Sequence, residues 1–287
     1  MCEVSVVIPS YNRASQIESC ISNLLNQSFE DFEIVVVDDG STDNTEAVVN
    51  NVPDQRIVYI KCIENKGACH ARNVGVKYAK GNYIAFQDSD DWWEADKLQK
   101  QLKYLKETNV DMVICKLKRH RKVRNRFFPD GCLNYIGLEQ ILYKNYGSTQ
   151  TFFVKKSCFD NELIHFDETM PRYQDWDFLI NFISHGYSVA LLNEVLVSQH
   201  VGNNTISSSH GKGADALKII LSKYKDYYAD NPNLTAYIHY LLGTHLSAQG
   251  IYSDEFKKSF NLGYRSYKCV LKCIFCECRR KKWIVQN

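Results

Sequence analysis

Three carboxylates stand within four residues of this chain, at Asp88, Asp90 and Asp91, just after the apolar run 83–86 and Gln87. Crowded carboxylates repel one another, and this repulsion raises their pKa values. A hard divalent cation such as Mg²⁺ or Mn²⁺ removes that cost, because these ions prefer oxygen ligands and commonly hold phosphate oxygens. The alternative is a helix N-cap, since Asp caps helices well and a helical pattern follows from Glu94. The run therefore predicts either a metal site or a helix start.

The composition narrows the class of protein. The chain has 287 residues, 45% of them hydrophobic, which is enough for a large core. Its net charge of +2 is too small to attract the negatively charged backbone of nucleic acid, so no nucleic-acid partner is expected. The 11 cysteines are odd in number and irregularly spaced, which favours reduced core thiols in a cytoplasmic protein. We expect no signal peptide, and no run approaches the ~20 apolar residues of a transmembrane helix.

Apolar strands and helical patterns alternate over the first part of the chain. Strands are predicted at 4–9, 32–37, 56–62, 82–87 and 110–115, with helices between them at 67–79 and 94–107. Such alternation predicts an open, mostly parallel, Rossmann-like α/β sheet flanked by helices. The pattern from 214 to 250 is helical. We therefore predict a core domain at 1–210, then a helical C-terminal region at 211–287 that ends in a basic, cysteine-rich tail.

Polar residues follow four of these strands, at the carboxyl edge where an open α/β sheet binds ligands. The clusters lie at 9–13, 38–41, 65–67 and 88–91. The glycine-rich loops of dinucleotide-binding and P-loop proteins do not follow the first strand. An aromatic at Tyr11 suits stacking on a base, Asp39 suits a base N–H, and Arg72 suits a phosphate. Together, these three residue types predict that the site binds a nucleoside diphosphate with a metal ion. The alternative for Tyr11 is that its ring packs on the next helix.

Five ordered motifs resemble those of family 2 glycosyltransferases with the GT-A fold. The motifs are 6–12, 36–43, Asn65-x-Gly67, Ala71-Arg72-Asn73-x-Gly75 and Asp88-Ser89-Asp90-Asp91. The resemblance extends over roughly residues 3 to 205. It implies a nucleotide-sugar half at about 1–115 and an acceptor half at about 116–210.

The resemblance also implies a role for each matching position in the first half. Asp90 would bind Mn²⁺ or Mg²⁺ directly, Asp88 would lie near the ribose or the metal, and Arg72 near the donor phosphates. The base of the donor, usually UDP, would be held by Pro9, Tyr11 and Asp39.

In the second half the family places its catalytic base in a Glu-Asp pair before a helix. The matching run is Gln174-Asp175-Trp176-Asp177, in which Gln replaces the Glu. Asp175 is the predicted general base and Asp177 the second choice, while the alternative for Asp175 is a helix cap. His200 is the predicted ligand near the metal or pyrophosphate, although the Arg common a few residues before it is missing.

The resemblance implies an inverting, metal-dependent glycosyltransferase of the hexosyl or N-acetylhexosaminyl class. It would move a sugar from a UDP-linked donor to a hydroxyl of a glycan or lipid-linked acceptor in surface polysaccharide synthesis. The alternative is a catalytically silent nucleotide-sugar-binding protein, which the Gln at 174 and the missing Arg keep open.

Two basic regions remain. The run 116–122 is expected to be a solvated face, with binding of a phosphorylated acceptor as the alternative. The segment 264–287 joins apolar residues to Arg and Lys, as in an interfacial anchor, so a peripheral position on the inner membrane face is one hypothesis. A helix packed on the domain or on a second copy is the other. Zinc is disfavoured there, because the cysteines lack paired Cys-x-x-Cys units.

Overall fold

A computed structural model describes residues 2–120, 125–131, 133–200, 209–251 and 254–264. The elements in chain order are β1 (Val4–Ser10), α1 (Ile17–Leu25), β2 (Phe32–Asp38), α2 (Thr45–Asn50), β3 (Ile57–Lys61), α3 (Ala68–Tyr78), β4 (Tyr83–Phe86), β5 (Asp91–Trp93), α4 (Lys97–Thr108), β6 (Met112–His120), β7 (Arg126–Phe128), α5 (Leu138–Tyr143), β8 (Phe152–Lys155), α6 (Gln174–Ser184), β9 (Val189–His200), α7 (His210–Lys223), α8 (Lys225–Ala229), α9 (Pro232–Ala248) and α10 (Glu255–Asn261). Two 3₁₀ helices, Thr149–Thr151 and Lys156–Asp160, flank β8.

One sheet contains these strands in the order β3-β2-β1-β4-β8-β6-β9-β5, with β7 beside β6. The first four strands are parallel, and β8 is antiparallel to both β4 and β6. Strand β6 therefore runs in the direction of β4, and β9 is parallel to β6. As a result, the carboxyl ends of β1, β2, β3, β4, β6 and β9 lie at one edge. The open α/β class is confirmed, and the antiparallel strands make the second half of the sheet mixed.

Burial on both faces explains the continuous apolar strands. Every residue of β2 is buried, as are six of the seven residues of β1. Helix α3 covers one of these faces and approaches it closely at Gly75, where an added Cβ would overlap Val7 and come within 3.2 Å of Val37 Cγ2. Glycine at this position allows α3 to lie flat on the strands that carry the site.

The structure moves two of the predicted boundaries. Residues 91–93 form β5, which pairs antiparallel with β9, so α4 begins at Lys97 and not at Glu94. The N-cap of α4 is Asp96, so the run at 88–91 does not start this helix and Asp91 does not cap it. Strand β6 continues from 115 to His120, because the alternation around buried Leu117 extends the pairing with β9.

The chain divides into two compact units. The first contains residues 1–168 and 174–201, and the second 169–173 and 202–287. In the second unit, α9 begins with Pro232 and is capped by Asn231, whose side chain accepts from the Leu234 N–H. The functional halves and the boundary at 210 stay predictions. Among the described residues, none of the helices has the length and apolar character needed to cross a bilayer. The tail at 265–287 lies outside them.

We expect Gly75→Ala to lower the free energy of unfolding by about 1–3 kcal/mol, because overpacking costs more than the helix propensity gained. Urea denaturation followed by tryptophan fluorescence measures this. Val7→Ala removes the group that the new methyl would meet, so the double variant should lose less stability than the sum of the two single changes. Simple additivity would contradict the proposed close approach.

Candidate active site

The turn after β2 holds two adjacent carboxylates with different surroundings. Asp38 is fully buried and accepts hydrogen bonds from the Ser41 N–H, at 2.7 Å, and from the Tyr59 hydroxyl. Asp39 is also buried, and its carboxylate accepts from the backbone N–H groups of Lys66 and Gly67. Asp38 therefore braces its own turn. Asp39 ties the end of β2 to the loop before α3, with lone pairs remaining for a further donor.

Tyr11 follows the end of β1 and is 44% exposed, so its ring is not packed into the core. The next residue, Asn12, has a left-handed φ of 52° and is held by Ser41 and Thr42 in the turn after β2. Pro9 lies opposite Val37 in the sheet, which brings Tyr11 and the Asp39 turn to neighbouring strand ends. An exposed aromatic beside a fixed acceptor is an arrangement that suits a planar heterocycle.

Arg72 lies at the centre of the site. It is 5% exposed in α3, and its Nη2 donates to Asp88 Oδ1 at 2.7 Å. Its Nη1 donates to Gln174 Oε1 at 3.3 Å, and its guanidinium lies 5.5 Å from the Phe166 ring centroid. Such a guanidinium is held by charge, hydrogen bonding and a ring face together. It links the carboxylate cluster after β4 to the start of α6.

The three carboxylates after β4 occupy different environments. Asp90 is exposed, but neighbouring protein limits its hydration, and this, with repulsion from Asp88, raises its pKa. Asp91 is buried, and burial, reinforced by Asp88 and Asp90, raises its pKa to about 8. Its Oδ2 accepts from the side-chain amides of Gln150, at 2.6 Å, and Gln199, at 3.2 Å. Asp91 is therefore a structural carboxyl, whereas Asp88 is partly exposed and Asp90 is exposed.

Asp175 lies in the first turn of α6, where its Oδ1 accepts from the Trp176 N–H at 2.8 Å. Desolvation by burial raises its pKa, opposed by that hydrogen bond and by the positive charges of Arg119 and Arg72. A carboxylate in such surroundings is a better proton acceptor than one in water. Asp177, the second choice, is 1% exposed, which makes it less accessible to a substrate.

Sequence reasoning missed Arg119. It was part of the basic run assigned to a solvated face, yet β6 extends far enough to place it opposite Gln199 at the common edge. Its Nε donates to Gln199 Oε1 at 2.9 Å, and its guanidinium lies 4.8 Å from the Phe128 ring centroid. It also lowers the pKa values of Asp91 and Asp175. The alternation Cys115-Lys116-Leu117-Lys118 was the signal that the strand continues.

The structure brings most of the predicted site residues together at one edge. Contacts join Arg72 to Asp88 and to the residue before Asp175, while Asp39 and Tyr11 lie on adjacent strand ends. His200 ends β9 opposite His120, but its side chain lies outside the described residues. The chemical roles of these residues stay predictions.

The residues present fit a divalent cation bound with phosphate. Asp90 offers an exposed carboxylate whose repulsion by Asp88 a cation would relieve, and both are the hard oxygen donors that Mg²⁺ and Mn²⁺ prefer. Nearby, the buried Ser10 Oγ and Arg72 Nε have no hydrogen-bond partner within the described part of the chain. Buried polar atoms without partners often contact a ligand. Two donors and a cation together suit phosphate oxygens.

The comparisons agree with this geometry. The model of the family described as "Glycosyl transferase family 2" matches residues 5–162, which is more than half of the chain. The chain belongs to this family, and is thus a glycosyltransferase by family.

Two curated relatives show how far the likeness extends. The putative teichuronic acid biosynthesis glycosyltransferase TuaG of Bacillus subtilis is 31% identical over 222 residues, 74% of this chain and 84% of that protein. The UDP-Glc:alpha-D-GlcNAc-diphosphoundecaprenol beta-1,3-glucosyltransferase WfaP of Escherichia coli is 41% identical over 107 residues, 37% of this chain. The match spans only 43% of WfaP.

Two solved structures also resemble this chain. The Staphylococcus aureus TarS fragment 1–349 with UDP-GlcNAc has a TM-score of 0.68 at 22% identity, covering 96% of this chain and 79% of that one. The mannosyltransferase PcManGT of Pyrobaculum calidifontis, in complex with GDP-Man and Mn²⁺, has a TM-score of 0.64 at 19% identity, covering 94% and 78%. These likenesses confirm the GT-A fold.

The electrostatics around Asp175 predict a pH effect. If Asp175 is the base, activity falls as the pH drops through its raised pKa, because only the carboxylate accepts a proton. Arg119→Ala removes a charge that lowers this pKa, so the acid limb of the kcat/KM profile should move to higher pH by about one unit or less.

The position of the limb, not the size of the activity, is the readout. Arg119→Lys should keep the acid limb close to its wild-type position, because the positive charge is retained. Lys103→Ala, which removes an exposed cation on α4, should leave the position of the limb unchanged. An unmoved limb in Arg119→Ala would sink the assignment of the limb to Asp175.

Proposed function

We propose that the protein is an inverting, metal-dependent glycosyltransferase that moves a sugar from a UDP-linked donor to an acceptor hydroxyl. The observation that carries this proposal is the link from Asp88 through Arg72 to Gln174. It joins the carboxylates suited to a metal–diphosphate complex to the residue beside Asp175, the proposed base. A donor site and a proton acceptor within one connected network are what direct transfer requires.

The donor end of the site has three parts. Tyr11 would stack on the uracil, Asp39 would accept from its N–H, and Pro9 would lie beside them. Arg72, whose buried Nε is without a partner in the described residues, would donate to the diphosphate. Asp90 would hold Mn²⁺ or Mg²⁺ with support from Asp88 and from His200. The cation would supply charge neutralisation on the departing diphosphate.

Transfer would proceed by direct displacement. The acceptor oxygen forms a bond to the anomeric carbon while the bond to the diphosphate oxygen breaks, and that electron pair leaves with the UDP. Asp175 takes the proton of the acceptor hydroxyl, aided by the burial that raises its pKa. No covalent enzyme intermediate forms, so one displacement inverts the anomeric carbon.

The relatives guide the proposal for the acceptor. WfaP is named for transfer from UDP-Glc to a diphosphoundecaprenol-linked sugar, and TuaG for teichuronic acid biosynthesis. We therefore propose a glycan or lipid-linked acceptor in surface polysaccharide synthesis, with a hexosyl or N-acetylhexosaminyl donor. A cytoplasmic enzyme, peripheral at the inner membrane face through 264–287, would meet both substrates. The Arg119 guanidinium is a further candidate for contact with an acceptor phosphate.

The alternative is a silent nucleotide-sugar-binding protein, favoured by Gln at 174 where the family has Glu. Hydrolysis of UDP-sugars without acceptor separates the two. We expect slow UDP release that needs Mn²⁺ or Mg²⁺ and that falls by at least about 100-fold in Asp90→Ala, because charge on the leaving diphosphate is no longer neutralised.

Asp54→Ala serves as the control, since this carboxylate pairs with Arg56 beside β3 and away from the cluster. UDP binding by the wild-type protein without any turnover, across a panel of UDP-sugars, would favour the silent alternative.

Stacking on Tyr11 predicts a loss of nucleotide affinity. Tyr11→Ala should weaken UDP binding by roughly 10-fold, since an aromatic–base stack contributes about 1–3 kcal/mol. Tyr11→Phe should retain most of the affinity, because the ring face is kept. Tyr78→Ala is the matched control: Tyr78 is 58% exposed at the end of α3. Calorimetric titration with UDP and Mn²⁺ gives the affinities of the wild type and the three variants, and equal values for Tyr11→Ala and wild type would refute the stack.

A further inference from the structure

A thiol, an imidazole and a carboxylate lie close together at the turn that is proposed to bind the uracil base of the sugar donor. A ligand atom of each of Asp39, Cys62 and His70 lies within 4.8 Å of the other two. They come from three segments: Asp39 follows β2, Cys62 follows β3, and His70 is in the first turn of α3. The Cys62 N–H donates to Asp38 O at 2.8 Å, which fixes the backbone of Cys62 beside the carboxylate turn.

The histidine is supported from behind by a carboxylate. His70 Nδ1 lies 3.2 Å from Glu168 Oε2, and the other Glu168 oxygen accepts from Asn73 Nδ2 at 2.9 Å. If Nδ1 carries the proton for this hydrogen bond, Nε2 carries the lone pair. A carboxylate that orients histidine in this way typically accompanies histidines that bind metal ions.

These donors differ in kind from the carboxylates after β4. Thiolate and imidazole prefer borderline and soft ions, whereas Asp88 and Asp90 offer hard oxygens only. Zinc binds cysteine sulfur, histidine nitrogen and carboxylate oxygen, and a site with three protein ligands leaves a fourth position for water. We propose that Asp39, Cys62 and His70 bind Zn²⁺ at a second cation site, with water as the fourth ligand.

The geometry needs only a small adjustment. Tetrahedral zinc holds such ligand atoms roughly 3.5 Å apart. The three atoms lie within 4.8 Å of one another, so each pair must close by no more than about 1.3 Å. Cys62 and His70 are only partly buried, so their side chains can rotate, while Asp39 stays anchored by the Lys66 and Gly67 N–H groups. Binding requires the thiolate, so the Cys62 proton passes to solvent as the zinc–sulfur bond forms.

Because the zinc site includes Asp39, zinc bound there would affect binding of the nucleotide-sugar donor. Under the proposed function, Asp39 accepts from the uracil N–H. A zinc ion bound to that carboxylate takes its lone pairs and occupies the place of the N–H donor. Zinc and UDP then exclude each other, so Zn²⁺ inhibits by raising the KM for the donor, not by lowering kcat. This step rests on the proposed role of Asp39, whereas the metal site itself does not.

Cobalt titration of the full chain, stripped with chelator, tests the site because Co²⁺ bound to thiolate has a charge-transfer band in the near ultraviolet. We expect this band at one equivalent, its removal by Zn²⁺, and its loss in Cys62→Ser. His70→Ala should weaken cobalt binding by more than roughly tenfold, and Glu168→Gln by about tenfold. Cys2→Ser is the matched control, since Cys2 is also a partly buried free thiol but precedes β1 at the opposite edge.

The outcomes separate the two proposals. A band that survives in Cys62→Ser belongs to other thiols and overturns the site, as does the absence of any band. UDP added first should suppress the band in the wild-type protein. A Cys62-dependent band that UDP leaves unchanged, despite UDP binding, would support the metal site but overturn the base-binding role of Asp39. Relief of zinc inhibition in Cys62→Ser would confirm the link between them.

Discussion

Mutual repulsion among Asp88, Asp90 and Asp91 is the constraint on which the rest of the site depends. Three negative charges within four residues at a strand end cannot all be buried and ionised. The fold treats each one differently. Asp91 is buried against two side-chain amides, its raised pKa favouring the neutral form, and Asp88 is paired with the buried Arg72. Asp90 remains exposed, with neither the burial of Asp91 nor the direct ion pair of Asp88, so a soluble cation can reach it.

The same constraint accounts for the Gln at position 174. Arg72 is a single positive charge already paired with Asp88, and its other terminal nitrogen reaches Gln174 Oε1. A Glu there would add a further negative charge beside Asp88 and Asp175 and would compete for the same guanidinium. A neutral amide keeps the hydrogen bond without the charge. The departure from the family pattern is therefore compatible with a working base, since Asp175 still has Arg72 and Arg119 within electrostatic range.

The sequence predicts the position of a residue when that position depends only on the neighbouring strand and turn, and fails when it depends on pairing with strands far away in the chain. Asp39 and Asp88 sit in turns that directly follow buried strands, so strand pattern and motif spacing were sufficient to place them at one edge. Arg119 could not be placed in this way. Its position depends on β8 inserting antiparallel between β4 and β6, and on β6 pairing with β9 through His120. Those pairings join segments far apart in sequence, and the basic residues in the strand concealed its length.

Asp39 shows how a fixed carboxylate acquires more than one possible ligand. Two backbone N–H groups hold it in place at low exposure, so its remaining lone pairs point in a defined direction whatever binds there. A flat base on Tyr11 would meet them with an N–H. The neighbouring Cys62 and His70 instead add the softer atoms that a cation needs. A carboxylate that is fixed in place to accept a hydrogen bond from a base N–H is also a fixed negative charge that can bind a cation. The neighbouring Cys62 and His70 side chains determine which cation competes with the base.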